Sequence, residues 1–194
     1  MTEPRYPIRP YRPQDLPRLQ EITEQTFGPV SIDRNIEQVL GPFGQGDWRK
    51  RKVAAIADDC QAQPDGVFVA EAPAEAPAGP GAAGGRQVIG YVTTRLNSVS
   101  RIGWIPNLAV DPAYQGKGLG RALLEHAVEF FRRSGMEVAK IETLEQNPIG
   151  QALYPKLGFQ EVARQIHYAM RLTPSQSGDT GTGRYGDGGG RVAR

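Results

Sequence analysis

The sequence predicts a single α/β domain of the α+β kind, with about four helices flanking a mixed central sheet of about six to seven strands. Three observations carry this. Strand-like apolar runs alternate with segments of helical spacing along most of the chain. Residues 119–133 carry one apolar stripe (Gly120, Leu123, Leu124, Ala127, Val128 and Phe131), with Arg121, Glu125, Glu129, Arg132 and Arg133 mostly opposite. The length, 194 residues, suits one domain and is enough for a core that needs neither disulfide nor metal.

The elements follow in order. Residues 8–11 form a short first strand. Asp15 then serves as an N-cap with Pro17 in the first turn, and Leu16, Leu19, Ile22, Thr23 and Phe27 recur at helical spacing. Residues 32–57 are helical with a break at Gly41-Pro42-Phe43-Gly44-Gln45-Gly46. Strands are predicted at 66–70, 88–96 and 100–110. In the last of these, Gly103 and Pro106 predict a bulge or splayed end rather than a regular ladder. Gly135 marks the stop of the 119–133 helix. Residues 138–144 form a buried strand, and 147–157 a short helix with Asn147 as N-cap, Pro148 in the first position and Gly158 past the end. One or two closing strands are expected in 159–172.

Eleven of the 24 glycines and four of the 16 prolines fall in two stretches, 72–86 and 173–194. Both stretches lack the large apolar residues that offset the entropy of ordering. The first is expected to be a flexible surface loop and the second a disordered tail, leaving 1–172 as the domain. The net charge of +2 does not suggest a nucleic-acid partner. Cys60 is the single cysteine, so no internal disulfide forms and a reducing compartment is expected. The first residues lack a signal-peptide pattern, and no apolar run approaches the roughly 18–20 residues a bilayer requires. A soluble cytoplasmic protein with no membrane partner is the expectation.

The chemistry concentrates in 107–121, NLAVDPAYQGKGLGR. A buried strand ends at Val110, a turn follows, and Gly116, Gly118 and Gly120 alternate with other residues as a helix begins. Glycine lets backbone N–H groups approach a ligand without a Cβ in the way. A helix start adds unsatisfied donors and partial positive charge. The combination suits a pyrophosphate, with Lys117 and Arg121 adding charge. A P-loop does not fit, because Lys117 is followed by Gly118, and a dinucleotide fingerprint does not, because position 121 is Arg.

The run Gln115-Gly-Lys-Gly-Leu-Gly120, with the preceding Leu108-Ala-Val-Asp-Pro, resembles the Q/R-x-x-G-x-G/A signature of the GCN5-related N-acetyltransferases. Downstream, Glu142-Thr-Leu-Glu-Gln-Asn147 followed by Ala152-Leu-Tyr154-Pro-Lys-Leu-Gly158-Phe159 resembles that family's later motif. The resemblance covers roughly residues 68–172. It implies an acetyl-CoA cleft where the strand ending at Val110 and the strand 138–144 splay apart. Leu108, Ala109 and Val110 would hold the acetyl carbonyl and pantetheine. Gln115, Gly116, Lys117, Gly118, Leu119, Gly120 and Arg121 would hold the pyrophosphate, and Asn147 the pantetheine arm. Tyr154 would sit beside the sulfur and help the thiolate leave.

Many relatives carry a Glu on the strand before the pyrophosphate loop; Trp104 stands there in this chain, so Glu142 is the candidate base and an ordered water its rival. No metal is implied. The acceptor is a primary amine of a small molecule, or a protein N-terminus or lysine. A non-catalytic acyl-CoA sensor is the third reading. The resemblance also admits a homodimer. Phe27, Phe43 and Trp48 are candidate acceptor-pocket walls. His126 and His167 lack partners at metal or triad spacing and are expected to be structural, Cys60 inert, and 48–52 (WRKRK) a solvated helix face.

Overall fold

The computed structural model describes residues 6–73 and 85–172, so most of the 72–86 loop and the whole 173–194 tail lie outside the described residues. Five strands form one sheet in chain order: β1 (Ile8–Pro10), β2 (Val67–Pro73), β3 (Arg86–Asn97), β4 (Ile102–Val110) and β5 (Val138–Ile141). Neighbours are antiparallel except β4 and β5, which run parallel. Among the described residues five α-helices accompany them: α1 (Leu16–Thr26), α2 (Ile32–Leu40), α3 (Trp48–Ala62), α4 (Leu119–Arg133) and α5 (Pro148–Leu153). The predicted break at 41–46 separates α2 from α3, where Gly41, Gly44 and Gly46 take positive φ.

Period-two alternation sends the strands' side chains to two layers. Phe68, Ala70, Ile89 and Ile105 pack against Leu119, Leu123, Leu124, Ala127 and Phe131 of α4. Val67, Val69, Tyr91 and Ala109 face Leu19 and Ile22 of α1 and Ile56 and Cys60 of α3. Fully burying each such aliphatic side chain contributes about 1.5–3 kcal/mol, so the predicted stripe of α4 is the chief anchor of that helix.

Asp15 does not cap α1 through its side chain. Buried beside β1, it accepts hydrogen bonds from the Arg9 guanidinium (2.7 and 2.9 Å) and from Arg12 N–H (2.8 Å). Burial opposes its ionisation, but these donors win and hold the carboxyl below the usual range. Arg9 also reaches Glu71 on β2 (2.8 Å), so one guanidinium ties β1, α1 and β2 together.

Among the described residues the sheet has five strands, close to the six to seven expected, and 159–172 joins no ladder. Its alternation is real, but Ile166, Tyr168, Met170 and Leu172 remain 74–90% exposed. Side chains rather than a strand partner hold the segment: Arg171 donates to the carbonyls of Leu40 and Pro42, and Arg164 pairs with Glu145 and Glu161.

Candidate active site

Pro106 organises the site. Thr93 pairs with Asn107 and Arg95 with Trp104, so β4 carries an extra residue between these pairs. On the other side the β4–β5 ladder stops at Ile105↔Ile141. Proline has no N–H to extend it, and the chain beyond β5 turns away into residues 142–147. Residues 106–110 of β4 therefore run on without a strand partner on the β5 side, which is the splay that Gly103 and Pro106 predicted.

Backbone direction then follows. Asp111 N–H donates to Ile89 O on β3 (2.9 Å). Alternation along the strand turns the N–H and C=O of Leu108 and Val110 the opposite way, into the gap. The Val110 carbonyl accepts from Gln115 Nε2 there (3.0 Å). Ala109, by contrast, turns its backbone to β3 and its side chain into the α1/α3 layer, so it offers no hydrogen-bonding group to the gap.

The loop to α4 is anchored at its start. Asp111 accepts from Ala113 N–H (2.8 Å) and pairs with Arg18 of α1. Gly116 and Gly118 have φ of 73° and 80°, and a Cβ at either would meet no protein atom within 4 Å. The space beside them is open, with the first N–H groups of α4 next to it. Gly120 has only ordinary contacts for a Cβ, at 3.7 Å or more. Leu119 contributes only its backbone, its side chain being in the core. The two cations point elsewhere: Lys117 Nζ donates back to Ala113 O (2.8 Å), and Arg121 pairs with Glu125 (2.8 Å).

Asn147 caps α5 by accepting from Gly150 N–H (3.1 Å) and donates to Thr143 Oγ1 (2.8 Å). Tyr154 packs edge-on against Phe159 at 6.2 Å between ring centres. Burial raises its phenol pKa, and a hydrogen bond with Thr143 partly offsets this. Glu142 lies just past β5, exposed and ion-paired to Lys140 (2.7 Å), whose ammonium stands 5.6 Å over the Trp104 ring.

Three features were not legible as site features in the sequence. Gln146 donates to Pro29 O (2.7 Å) and forms a reciprocal amide pair with Asn35 (3.0 and 3.1 Å), latching the α1–α2 segment to the loop after β5. Asn107, buried on β4, donates to Asp59 and to Thr93 Oγ1 (3.0 Å) and accepts from Lys52 Nζ (2.7 Å). Burial lowers the Lys52 pKa, while Asp59 and Asp33 oppose the shift. Lys52 also lies 4.4 Å over the Phe27 ring. The 48–52 run is therefore not a solvated face: Trp48 is buried, Arg51 pairs with Glu37 (2.5 Å), and Lys52 points inward. The third feature is Thr143, whose hydroxyl oxygen accepts from Asn147 Nδ2 (2.8 Å).

Of the candidate acceptor walls, only Phe27 connects to β4, through Lys52. Phe43 stacks on Arg51 (3.9 Å), and Trp48 lines a shallow cavity of about 340 Å³ with Arg34, Glu37, Gln38 and Pro42. His126 packs edge-on to Phe68 at 4.4 Å, with its pKa lowered by burial and by Arg133. Burial pushes the Cys60 thiol up to about 11, which makes it a poor nucleophile.

A parallel strand pair thus splays, with outward-facing backbone groups on one strand and a glycine-rich helix start beside it. The Acetyltransferase (GNAT) family model matches residues 34–159, and the chain belongs to that family. It is 44% identical over 62 residues to [Ribosomal protein bS18]-alanine N-acetyltransferase of Escherichia coli (strain K12), covering 32% of this chain and 42% of that one. It is 29% identical over 127 residues to Mycothiol acetyltransferase of Nocardia farcinica (strain IFM 10152), covering 64% of this chain and 39% of that one. The chain thus spans less than half the length of either relative. Among solved structures, Ard1 from Thermoplasma volcanium shares the fold, with a TM-score of 0.56 at 22% identity over 82% of this chain and 86% of that one.

The residues present are compatible with acetyl-CoA: Leu108 would offer a backbone N–H to a pantetheine, and the open space beside the positive-φ Gly116 and Gly118 would leave N–H groups unobstructed for phosphate oxygens.

Proposed function

We propose that this protein is an acetyl-CoA-dependent N-acetyltransferase, cytoplasmic, acting on a primary amine. The observation that carries the reading is the β4 segment 106–110, which runs on past the end of the β4–β5 ladder and leads into the glycine-rich 115–120 run that opens α4. When bound, acetyl-CoA supplies the activated acetyl group.

The chain's own residues supply the rest. The N–H groups of Gln115 to Gly120 hold the pyrophosphate, and Leu108 N–H donates to the carbonyl oxygen as charge develops on it. The acceptor amine must be neutral to attack. A lysine-like amine with a reference pKa of about 10.4 needs more help than an α-amine near 7.7–8.0. Glu142, held by Lys140, takes the amine proton directly or through a water. As the C–N bond forms and the C–S bond breaks, Tyr154 donates its phenolic hydrogen to the departing thiolate sulfur.

A small-molecule amine is the acceptor this geometry favours, since the Gln146 latch to Pro29 and Asn35 draws the α1–α2 segment over the acceptor side. A protein N-terminus is the second reading. It is supported by the Glu142, Asn147 and Tyr154 spacing and by similarity to an enzyme named for a ribosomal-protein alanine. The test is acetyl-CoA-dependent thiol release across polyamines, amino acids, aminoglycosides and N-terminal peptides. A kcat/KM at least tenfold higher for one small amine supports the first reading and a peptide preference the second. CoA binding with no release on any amine would point to a sensor.

A further inference from the structure

Lys52 is a half-buried cation that no carboxylate pairs with among the described residues. It reaches from α3 to β4 and donates to Asn107 Oδ1 (2.7 Å). The orientation of that amide is fixed. Asn107 Nδ2 faces Asp59, which only accepts, and donates also to Thr93 Oγ1 (3.0 Å). On a second side the Phe27 ring lies 4.4 Å from Lys52 Nζ. Asp59 and Asp33 act on Lys52 only from a distance, and both are engaged with arginines. Asp59 accepts from Arg95 Nε (3.1 Å), and Asp33 stands 3.8 Å from Arg51.

An ammonium carries three hydrogens. Here one goes to a neutral amide and an aromatic ring covers another side, so at least one hydrogen has no acceptor among the described residues. Charges drawn out of water are ordinarily paired. The place of this unpaired charge is informative. Asn107 belongs to the 106–110 segment and adjoins Leu108, whose N–H is assigned above to the acetyl carbonyl. Lys52 Nζ therefore lies within about 10 Å of the Leu108 Cα. Phe27 stands two residues before Pro29, which the Gln146 latch ties to the loop after β5 (2.7 Å). We propose that Lys52 is a specificity-determining residue that holds the carboxylate of a small acceptor amine, so that the acceptor is an amino acid rather than a polyamine or an aminoglycoside.

The inference rests on the acetyl-transfer reading and narrows its small-molecule acceptor. A carboxylate gives Lys52 a charge-assisted hydrogen bond, whereas the matching amide offers only a neutral oxygen. A polyamine brings like charge to the same place. If Lys52 does no more than tie α3 to β4, its removal affects acid and amide acceptors alike.

The test is acetyl-CoA-dependent thiol release with matched acid and amide acceptors: glycine and glycinamide, L-alanine and L-alaninamide, β-alanine and β-alaninamide. Spermidine serves as the cationic comparison. In the best-used pair the wild-type protein should prefer the acid at least tenfold in kcat/KM. Lys52→Met keeps the length of the stem and drops the charge. It should raise KM for the acid about tenfold and leave KM for the amide and for acetyl-CoA within twofold. Comparing variants on the same pair cancels the difference in basicity between the two amines. Lys52→Arg should retain part of the preference. Thermal unfolding checks each variant, and the wild-type acid-to-amide ratio stands by itself if Lys52→Met does not fold. Amides used as well as their acids in every pair overturn the proposal. Equal losses for acid and amide in Lys52→Met overturn it too, because Lys52 is then a structural tie. Release with spermidine and with no acid overturns the carboxylate site and leaves acetyl transfer standing. No release with any amine, beside calorimetric CoA binding, removes the acetyl-transfer reading and the proposal with it.

Discussion

Replacing Gly118 separates what the loop costs the protein from what it gives a ligand. Gly118 has φ of 80°, and a Cβ there would meet no protein atom within 4 Å. The fold's own penalty for Gly118→Ala is therefore left-handed backbone strain alone, about 1–2 kcal/mol. For a chain of this size that lowers Tm by roughly 2–8 °C. Gly118→Glu carries the same strain and adds a carboxylate where the pyrophosphate is placed. Two like charges about 4 Å apart repel by about 4 kcal/mol at an effective dielectric constant of about 20. Solvent screening at this open position leaves about 3 kcal/mol, or roughly a hundredfold in affinity. Calorimetric titration of CoA into both variants, with thermal unfolding alongside, measures the two terms. Equal Tm values and a hundredfold weaker Kd for the Glu variant are expected. CoA affinity in Gly118→Glu within twofold of Gly118→Ala would refute the placement of the pyrophosphate.

Other outcomes follow from the same geometry. Tyr154→Phe should lower kcat by roughly 10²-fold or more with CoA affinity within threefold. Because burial raises the Tyr154 pKa, the phenol keeps its proton to higher pH than a free tyrosine, so an alkaline limb from Tyr154 should fall above pH ~10 and vanish in Tyr154→Phe. Asp15→Asn should cost about 1.5–3 kcal/mol at pH 7 by urea unfolding, from charge-assisted hydrogen bonds to Arg9. Asp15's folded pKa lies below its unfolded value, so that contribution is present above about pH 4 and is lost as pH falls through the folded pKa. The gap between wild type and Asp15→Asn should accordingly narrow at acid pH. Gln146→Ala removes three hydrogen bonds between the loop after β5 and the α1–α2 segment, which the proposal sets beside the acceptor. It should raise the acceptor KM several-fold with acetyl-CoA KM unchanged, and an unchanged acceptor KM would show that the latch does not border the acceptor.

What the sequence disclosed was local. The α4 stripe reads as a helix because its burial period is 3.6 residues, and the splay reads from Pro106 because a missing N–H acts wherever it stands. Asn147 reads as a cap because its partner, Gly150 N–H, is three residues away. The Gln146 latch joins residues separated by 111 and 117 positions, and Asn107 meets partners 48 and 55 positions away. No spacing rule reaches that far. Asp15 has a cap's sequence position, yet its carboxylate goes to Arg9, an ion-pair partner that propensity does not weigh. At 159–172 the period-two pattern was legible, but a strand also needs a neighbour, and alternation alone does not supply one.

Titration of the 15N-labelled protein with CoA, followed through its assigned backbone amides, tests the donor cleft most directly. The amides of Leu108, Val110 and Gln115 to Gly120 should shift together with the Asn147 side-chain amide, saturating at one CoA per chain. Shifts confined to the cavity lined by Arg34, Glu37 and Trp48, with the Gln115 to Gly120 amides unmoved, would contradict a donor site between β4 and β5.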